Sequence, residues 1–264
     1  MFVGAGYSSF FLLNLSVLEI HGRSGSRPVS AYLLIHGAWH GGWCWRRVAT
    51  TLRSCGHEVY TPTLTGLGER AHLATPEIDL ETHTRDVLGV LTYSDLKDVT
   101  LVGHSYGGMV ITAVAEHASS RLTRLIYVDA QVPQNNQSLA SLAQPAAVTD
   151  ILEKARIYGE GWRVPPLPLD KLGITAQEDI QWVRSKLVDQ PIRTLFQPAR
   201  LPNECAESMQ RTYVYCSKPP LGFFEQFAKR AQEEGWPYYD LPTGHDAMIT
   251  APDELSNILL TSKR

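Results

Sequence analysis

The stretch Val99-Thr100-Leu101-Val102-Gly103-His104-Ser105-Tyr106-Gly107-Gly108-Met109-Val110-Ile111-Thr112 decides the fold. Its first four residues form an apolar run of the kind buried inside a sheet. From Gly107 to His117, small and apolar residues predominate, as in a helix packed between a sheet and a neighbour. Between strand and helix lies Gly103-x-Ser105-x-Gly107, a pattern whose chemistry depends on that context. A serine on so sharp a turn sits in strained backbone and needs small neighbours two residues away. Gly103 and Gly107 supply that clearance. The turn exposes the hydroxyl, and the helix behind it aims its N-terminal amides at developing negative charge.

Strand and helix signals alternate on both sides of this stretch. Residues 31–35 (AYLLI) read as a buried strand, 43–54 as a helix ended by Gly56, and 58–61 as a second strand. Residues 81–92 predict a helix, 99–102 a third strand and 124–128 a fourth that ends at Asp129. Such alternation predicts a parallel sheet with right-handed crossovers, its ligand site outside the carboxyl ends of the strands. His36, Ser105 and Asp129 all fall there. The pattern then breaks. Residues 133–202 hold 8 of the 16 prolines and no clear strand, with one helix foreseen behind a Thr175/Glu178 capping box. So long a connection points to an inserted lid over 133–205, leaving 1–132 and 206–264 as the core domain. Alternation resumes with strands at 211–216 and 237–241, a helix at 222–234 between them, and a last helix from Pro252.

Composition narrows the function classes. With 264 residues, 44% hydrophobic and 19% charged, the chain can bury about three quarters of its unfolded surface without a staple. A net charge of −3 gives no electrostatic case for nucleic acid. No apolar run reaches membrane-spanning length. Residues 9–20 are apolar but interrupted by Asn14, Ser16 and Glu19, with no basic start, and read as a strand rather than a signal peptide. Cys44, Cys55, Cys205 and Cys216 follow no zinc or redox spacing. Unpaired thiols and a cytoplasmic address are expected.

A serine hydroxyl needs a base with a pKa near working pH. Of nine histidines, His245 follows the last strand and a glycine, so it can overhang the carboxyl edge. His83 and His117 sit on predicted helices as packing or solvated groups, and His21 and His57 read as surface positions. The acid that orients the imidazole is expected at Asp129, with Asp240 as the alternative. Asp246 adjoins His245, where adjacent side chains point apart, and reads as structural. The loop His36-Gly37-Ala38-Trp39 and the residue after Ser105 suggest an oxyanion hole from the amides of Ala38 and Tyr106. His36, Trp39, His40, His104, Trp162, Trp182 and Met248 are candidate pocket residues. For Trp182, core packing is an even alternative.

HGAWHGGWCWRRV (36–48), TPTLTGLGER (61–70), VTLVGHSYGGMVIT (99–112), LIYVDAQVP (125–133) and GHDAMITAPDEL (244–255) together resemble the α/β-hydrolase superfamily. Within it they resemble the plant hydroxynitrile lyase and methyl esterase branch. They resemble still more its bacterial relatives that cleave small lipophilic esters and carbamates. The resemblance implies an α/β fold with a mostly parallel eight-stranded sheet, a Ser–His–acid triad and no cofactor or metal. Two departures matter. The plant enzymes take their acid from the loop after the strand matching 211–216, where this chain has Lys218 and Pro219. The lyases carry a lysine after the catalytic histidine, where this chain has Asp246, so cyanohydrin cleavage loses its cation. The expectation is therefore a serine esterase acting on small lipophilic aryl or alkyl esters through an acyl-enzyme, with neither nucleic acid nor membrane as partner, and a homodimer left open. The same residues would serve a carbamate, amide or C–C bond hydrolase. A ligand receptor on this fold is the alternative outside enzymes.

Overall fold

Alternation along each strand sorts its side chains to two faces, and the sheet is built on that division. The computed structural model of the protein describes Met1 and residues 30–262. Its main strands are β1 (Ala31–Ile35), β2 (Glu58–Tyr60), β3 (Val99–His104) and β4 (Leu122–Val128). Two short strands, β5 (Arg163–Val164) and β6 (Gln190–Pro191), precede β7 (Gln210–Cys216) and β8 (Tyr238–Leu241). The main sheet has the order β2-β1-β3-β4-β7-β8. Every pairing in it is parallel. Six strands thus stand among the described residues where eight were expected, and the strand foreseen at 9–20 lies outside those residues.

Leu33, Ile35, Leu101, Leu125, Tyr127 and Tyr213 face one apolar layer. Their strand neighbours Tyr32, Leu34, Val102, Ile126 and Val214 face the other. Helix α1 (Arg46–Ser54) buries Val48, Ala49 and Leu52 in the second layer. Helices α2 (Leu80–Tyr93) and α3 (Gly107–Ala118) cover the first. This is the period-2 strand and amphipathic-helix pattern of a doubly covered parallel sheet. Helix α3 is almost wholly buried, which its small side chains permit.

The excursion between β4 and β7 carries α4 (Leu139–Leu142), α5 (Pro145–Tyr158), α6 (Gln177–Arg184) and α7 (Arg193–Phe196). The Thr175/Glu178 capping box is not formed: the N-cap of α6 falls one residue later, at Ala176, with no side-chain cap bond. The stretch read as strandless pairs Arg163–Val164 antiparallel with Gln190–Pro191. Its apolar residues do not make a separate core. Ala155, Val164 and Leu195 join one layer, and Leu172, Ile174 and Val183 the other. The fold closes with α8 (Glu225–Glu233), α9 (Ala247–Thr250) and α10 (Pro252–Thr261). Among the described residues no helix is long and apolar enough to cross a membrane. All four cysteines are unpaired.

Candidate active site

Strand order reverses between β1 and β3, and their carboxyl ends open a crevice there. Ser105 sits at that point with φ 54°, a left-handed conformation that costs a non-glycine residue energy and clusters at functional sites. The turn is this tight because its neighbours are bare. A Cβ on Gly103 would lie 2.6 Å from the Gly107 carbonyl oxygen, and one on Gly107 2.8 Å from that of Ile35. Ser105 N donates to Val128 O at 3.2 Å, and the Ser105 carbonyl accepts from Gly108 N at 2.9 Å. Its Oγ has no hydrogen-bond partner among the described residues and borders a cavity of 660 Å³.

His245 and Asp129 meet across 116 residues. His245 Nδ1 donates to Asp129 Oδ2 at 2.6 Å, and both side chains are buried. Asp129 directly follows β4 with φ 42° and also accepts from Cys216 N at 3.4 Å, on neighbouring β7. Burial pushes the Asp129 carboxyl above its ordinary range, against the pull of its bond to His245. Asp240 is elsewhere: exposed, and accepting from Ser217 Oγ at 2.5 Å. Phe224 stacks on the His245 ring at 4.7 Å and 18°, and His104 lies against it at 4.5 Å. His245 borders the same cavity as Ser105.

Ala38 and Tyr106 also border it, and neither main-chain amide donates to any described residue. The adjacent amide is engaged differently. Trp39, at φ 67°, donates from N to Gln190 Oε1 at 3.0 Å and from Nε1 to Val164 O at 3.0 Å, and its carbonyl accepts from Val188 N at 3.1 Å. Three bonds from the excursion therefore hold this loop. Gln190 is fully buried and is fixed in turn by donating to Thr194 Oγ1 at 2.6 Å. The contact spans 151 residues, and nothing local in the sequence signals it.

The cavity wall is mostly apolar, with Trp39, Leu139, Ile151, Val164, Leu195, Leu221, Phe223 and Phe224. Of the candidate pocket residues only Trp39 borders it. Trp182 packs edge-on against Trp43 at 5.4 Å, beneath the Arg47 guanidinium, in the opposite apolar layer. Met248 is fully buried in that layer, and Trp162 lies under the Arg163 guanidinium. His36, His40 and His104 are buried behind the wall rather than on it. Amphipathic rings can satisfy either setting, so residue type alone did not separate core from pocket. His57, read as a surface position, is buried, its ring edge-on to Tyr32.

Three of the buried histidines, His36, His83 and His104, are neutral for reasons the geometry gives. His36 Nε2 accepts from Leu64 N at 3.1 Å, which a doubly protonated ring cannot do. Burial drives it down to about 3. His83 Nε2 donates to Thr65 O at 2.9 Å while Nδ1 pairs with the Tyr106 hydroxyl at 3.0 Å, and burial lowers it to about 4. His104 Nε2 donates to His245 O at 3.0 Å, Nδ1 has no partner, and burial followed by the His245 ring holds it well below the usual range. Their folded pKa values lie below the unfolded value of about 6.5, so the unfolded chain takes up protons that the native state refuses. Stability is therefore complete above about pH 6.5 and falls as pH drops toward 4. For His36 and His83 the loss is on the order of 2 kcal/mol each at pH 5. His40, whose pKa is raised, offsets part of it. Urea midpoints at pH 7 and pH 5 check this; an unchanged or higher midpoint at pH 5 contradicts it.

His104, His245 and Asp246 bring ligand-type atoms within 4.8 Å of one another. Their protons are engaged in hydrogen bonds: His245 Nδ1 with Asp129 and His104 Nε2 with the His245 carbonyl. These contacts form a buried hydrogen-bond network around the His245 imidazole.

The same chain matches the alpha/beta hydrolase family over residues 32–258. It is 39% identical over 236 residues to the carbendazim hydrolyzing esterase of Nocardioides sp. (strain SG-4G), covering 86% of this chain and 97% of that one. It is 28% identical to the pheophorbidase of Raphanus sativus, covering 87% and 92%. Among solved structures, an extracellular alpha/beta-hydrolase from a Paenibacillus species superposes with a TM-score of 0.78 at 24% identity, covering 89% of this chain and 99% of that one. The family match runs from β1 into α10 and takes in Ser105, Asp129 and His245, so the chain belongs to the alpha/beta hydrolase family.

Proposed function

We propose that the protein is a serine-dependent carboxylic ester hydrolase acting on lipophilic aryl or alkyl esters. One observation carries the reading: a buried Asp129–His245 bond of 2.6 Å beside an unpartnered serine hydroxyl on the wall of one apolar cavity. The esterase names of the relatives agree with it.

In this reading Ser105 Oγ attacks the ester carbonyl and its proton passes to His245 Nε2. Asp129 keeps the Nδ1 proton in place, which leaves Nε2 free to accept, and stabilises the imidazolium that forms. The carbonyl oxygen, now an anion, receives the N–H groups of Ala38 and Tyr106. Collapse expels the alkoxide, which leaves as alcohol with the proton from His245. Water then attacks the acyl-enzyme with His245 again as base, releasing acid and restoring the serine. Neutral buried His83 anchors the Tyr106 ring behind that amide.

The excursion over 133–205 acts as the lid, roofing the cavity with Leu139, Ile151 and Leu195. A cavity of 660 Å³ lies in the range of sites that enclose a drug-sized molecule, and its apolar wall suits a neutral substrate. Four unpaired thiols fit a reducing, cytoplasmic compartment. A panel of p-nitrophenyl esters, bulkier aryl esters, carbamates and anilides tests the assignment. The bulky aryl esters are expected to give the highest kcat/KM, at least about tenfold above p-nitrophenyl acetate, since remote binding energy is used in the transition state. Turnover of carbamates or anilides with none of the esters would overturn it.

A further inference from the structure

Asp246 and His40 are buried, charged and unused by the mechanism above. The Asp246 side chain is fully buried, and its Oδ2 accepts from His40 Nε2 at 3.0 Å. His40 Nδ1 faces the Ala38 carbonyl oxygen at 2.7 Å. A carbonyl oxygen can only accept, so Nδ1 carries a proton. A carboxylate also only accepts, so Nε2 carries one too. Burial opposes charge on both groups, but each outweighs it for the other: His40 is raised and Asp246 lowered. The ring is an imidazolium, salt-bridged inside the protein.

The connectivity is what matters. Asp246 is the covalent neighbour of His245, and its amide donates to Leu172 O at 3.1 Å. Ala38 offers the free amide on the other side of the crevice. A continuous path thus runs from the Ala38 peptide through His40 to Asp246 and the His245 backbone. His104 closes it, with Nε2 bonded to the His245 carbonyl and 3.6 Å from Asp246 Oδ1. The titratable groups around Asp246 are His40, His104 and His245, the Asp129 carboxyl, and the thiols of Cys44 and Cys216. His40 is the one cation among them that donates to it.

We propose that His40 and Asp246 are positioning residues: their buried ion pair fastens the loop that presents the Ala38 amide to the loop that carries His245, so that oxyanion donor and base keep a fixed separation. The consequence for activity rests on the ester hydrolase reading; the mechanical coupling of the two loops does not. A misplacement of about 1 Å at either loop is enough to cost on the order of 100-fold in rate.

Two variants each cut one half of the path. Asp246→Asn removes the charge, and His40→Gln keeps a donor at the Nε2 position while leaving the Ala38 carbonyl unbonded. Amide hydrogen exchange of residues 36–41 and 243–247 is followed in wild type and both variants. Both segments are expected to exchange faster together, by at least about tenfold, in either variant. For a bulky p-nitrophenyl ester, kcat should fall about 10- to 100-fold with KM within about threefold, and Ki for an aryl boronic acid should rise in step with the loss of kcat. A residue that merely supports the fold would lower Tm without tying kcat to boronate affinity. If a single variant does not fold because a lone charge is left buried, the His40→Gln/Asp246→Asn double variant removes both charges and is read the same way. Exchange at 36–41 unchanged in Asp246→Asn, or wild-type kcat and boronate Ki in any folded variant, overturns the proposal. If exchange is coupled but wild-type protein hydrolyses no ester, the clamp stands and the ester hydrolase reading fails.

Discussion

Replacing Ser105 by alanine is expected to lower kcat/KM for an aryl ester by about four to six powers of ten. In the proposed mechanism, removing the nucleophile leaves only the binding pocket and the Ala38 and Tyr106 amides to assist attack by water. The fold should be untouched. Ser105 Oγ bonds to no described residue, so its loss strands no partner, and alanine accepts the φ of 54° no worse than serine does. A melting temperature within about 2 °C of wild type, together with lost labelling by a fluorophosphonate, would complete the result. Activity within tenfold of wild type in this variant would remove the nucleophile from the scheme.

The second large effect is expected at Asp129. Asn in its place keeps the shape and can still donate a hydrogen bond. That is the difficulty, because an amide N–H facing Nδ1 selects the tautomer with the proton on Nε2. The base then faces the serine with nothing to accept a proton. A loss of about 10³- to 10⁴-fold in kcat is expected, with KM nearly constant. Asp240→Asn serves as the control: its carboxylate is exposed and bonded to Ser217, so it should stay within about twofold of wild type. A silent Asp129→Asn beside an inactive Asp240→Asn would reverse the assignment of the acid.

Local chemistry was legible in the sequence wherever one short segment carries its own constraint. The turn at Ser105 needs Gly103 and Gly107 because two backbone oxygens lie where their Cβ atoms would be. Asp129 was legible as the end of a strand, and His245 as a loop residue beyond another, so sheet topology placed both at one edge. The pocket was not legible in this way. Trp162, Trp182 and Met248 have the right character for a cavity wall, but they pack elsewhere, while Phe223, Phe224 and Leu221 take that place. Phe224, stacked on His245, follows the Leu221-Gly222 turn and carried no signal beyond its size.

Residue order and periodicity by themselves determined the parallel sheet, the strained serine and the set of carboxylates and imidazoles available to it. Those features follow from sterics and hydrogen bonding within a few residues, or from a periodicity that repeats along each element. Only the tertiary structure decided which partners meet: Gln190 with the Trp39 amide, His40 with Asp246, Phe224 with His245. Each joins segments separated by 21 to 206 residues, and such contacts are fixed by how whole layers pack, not by any property the two residues display on their own.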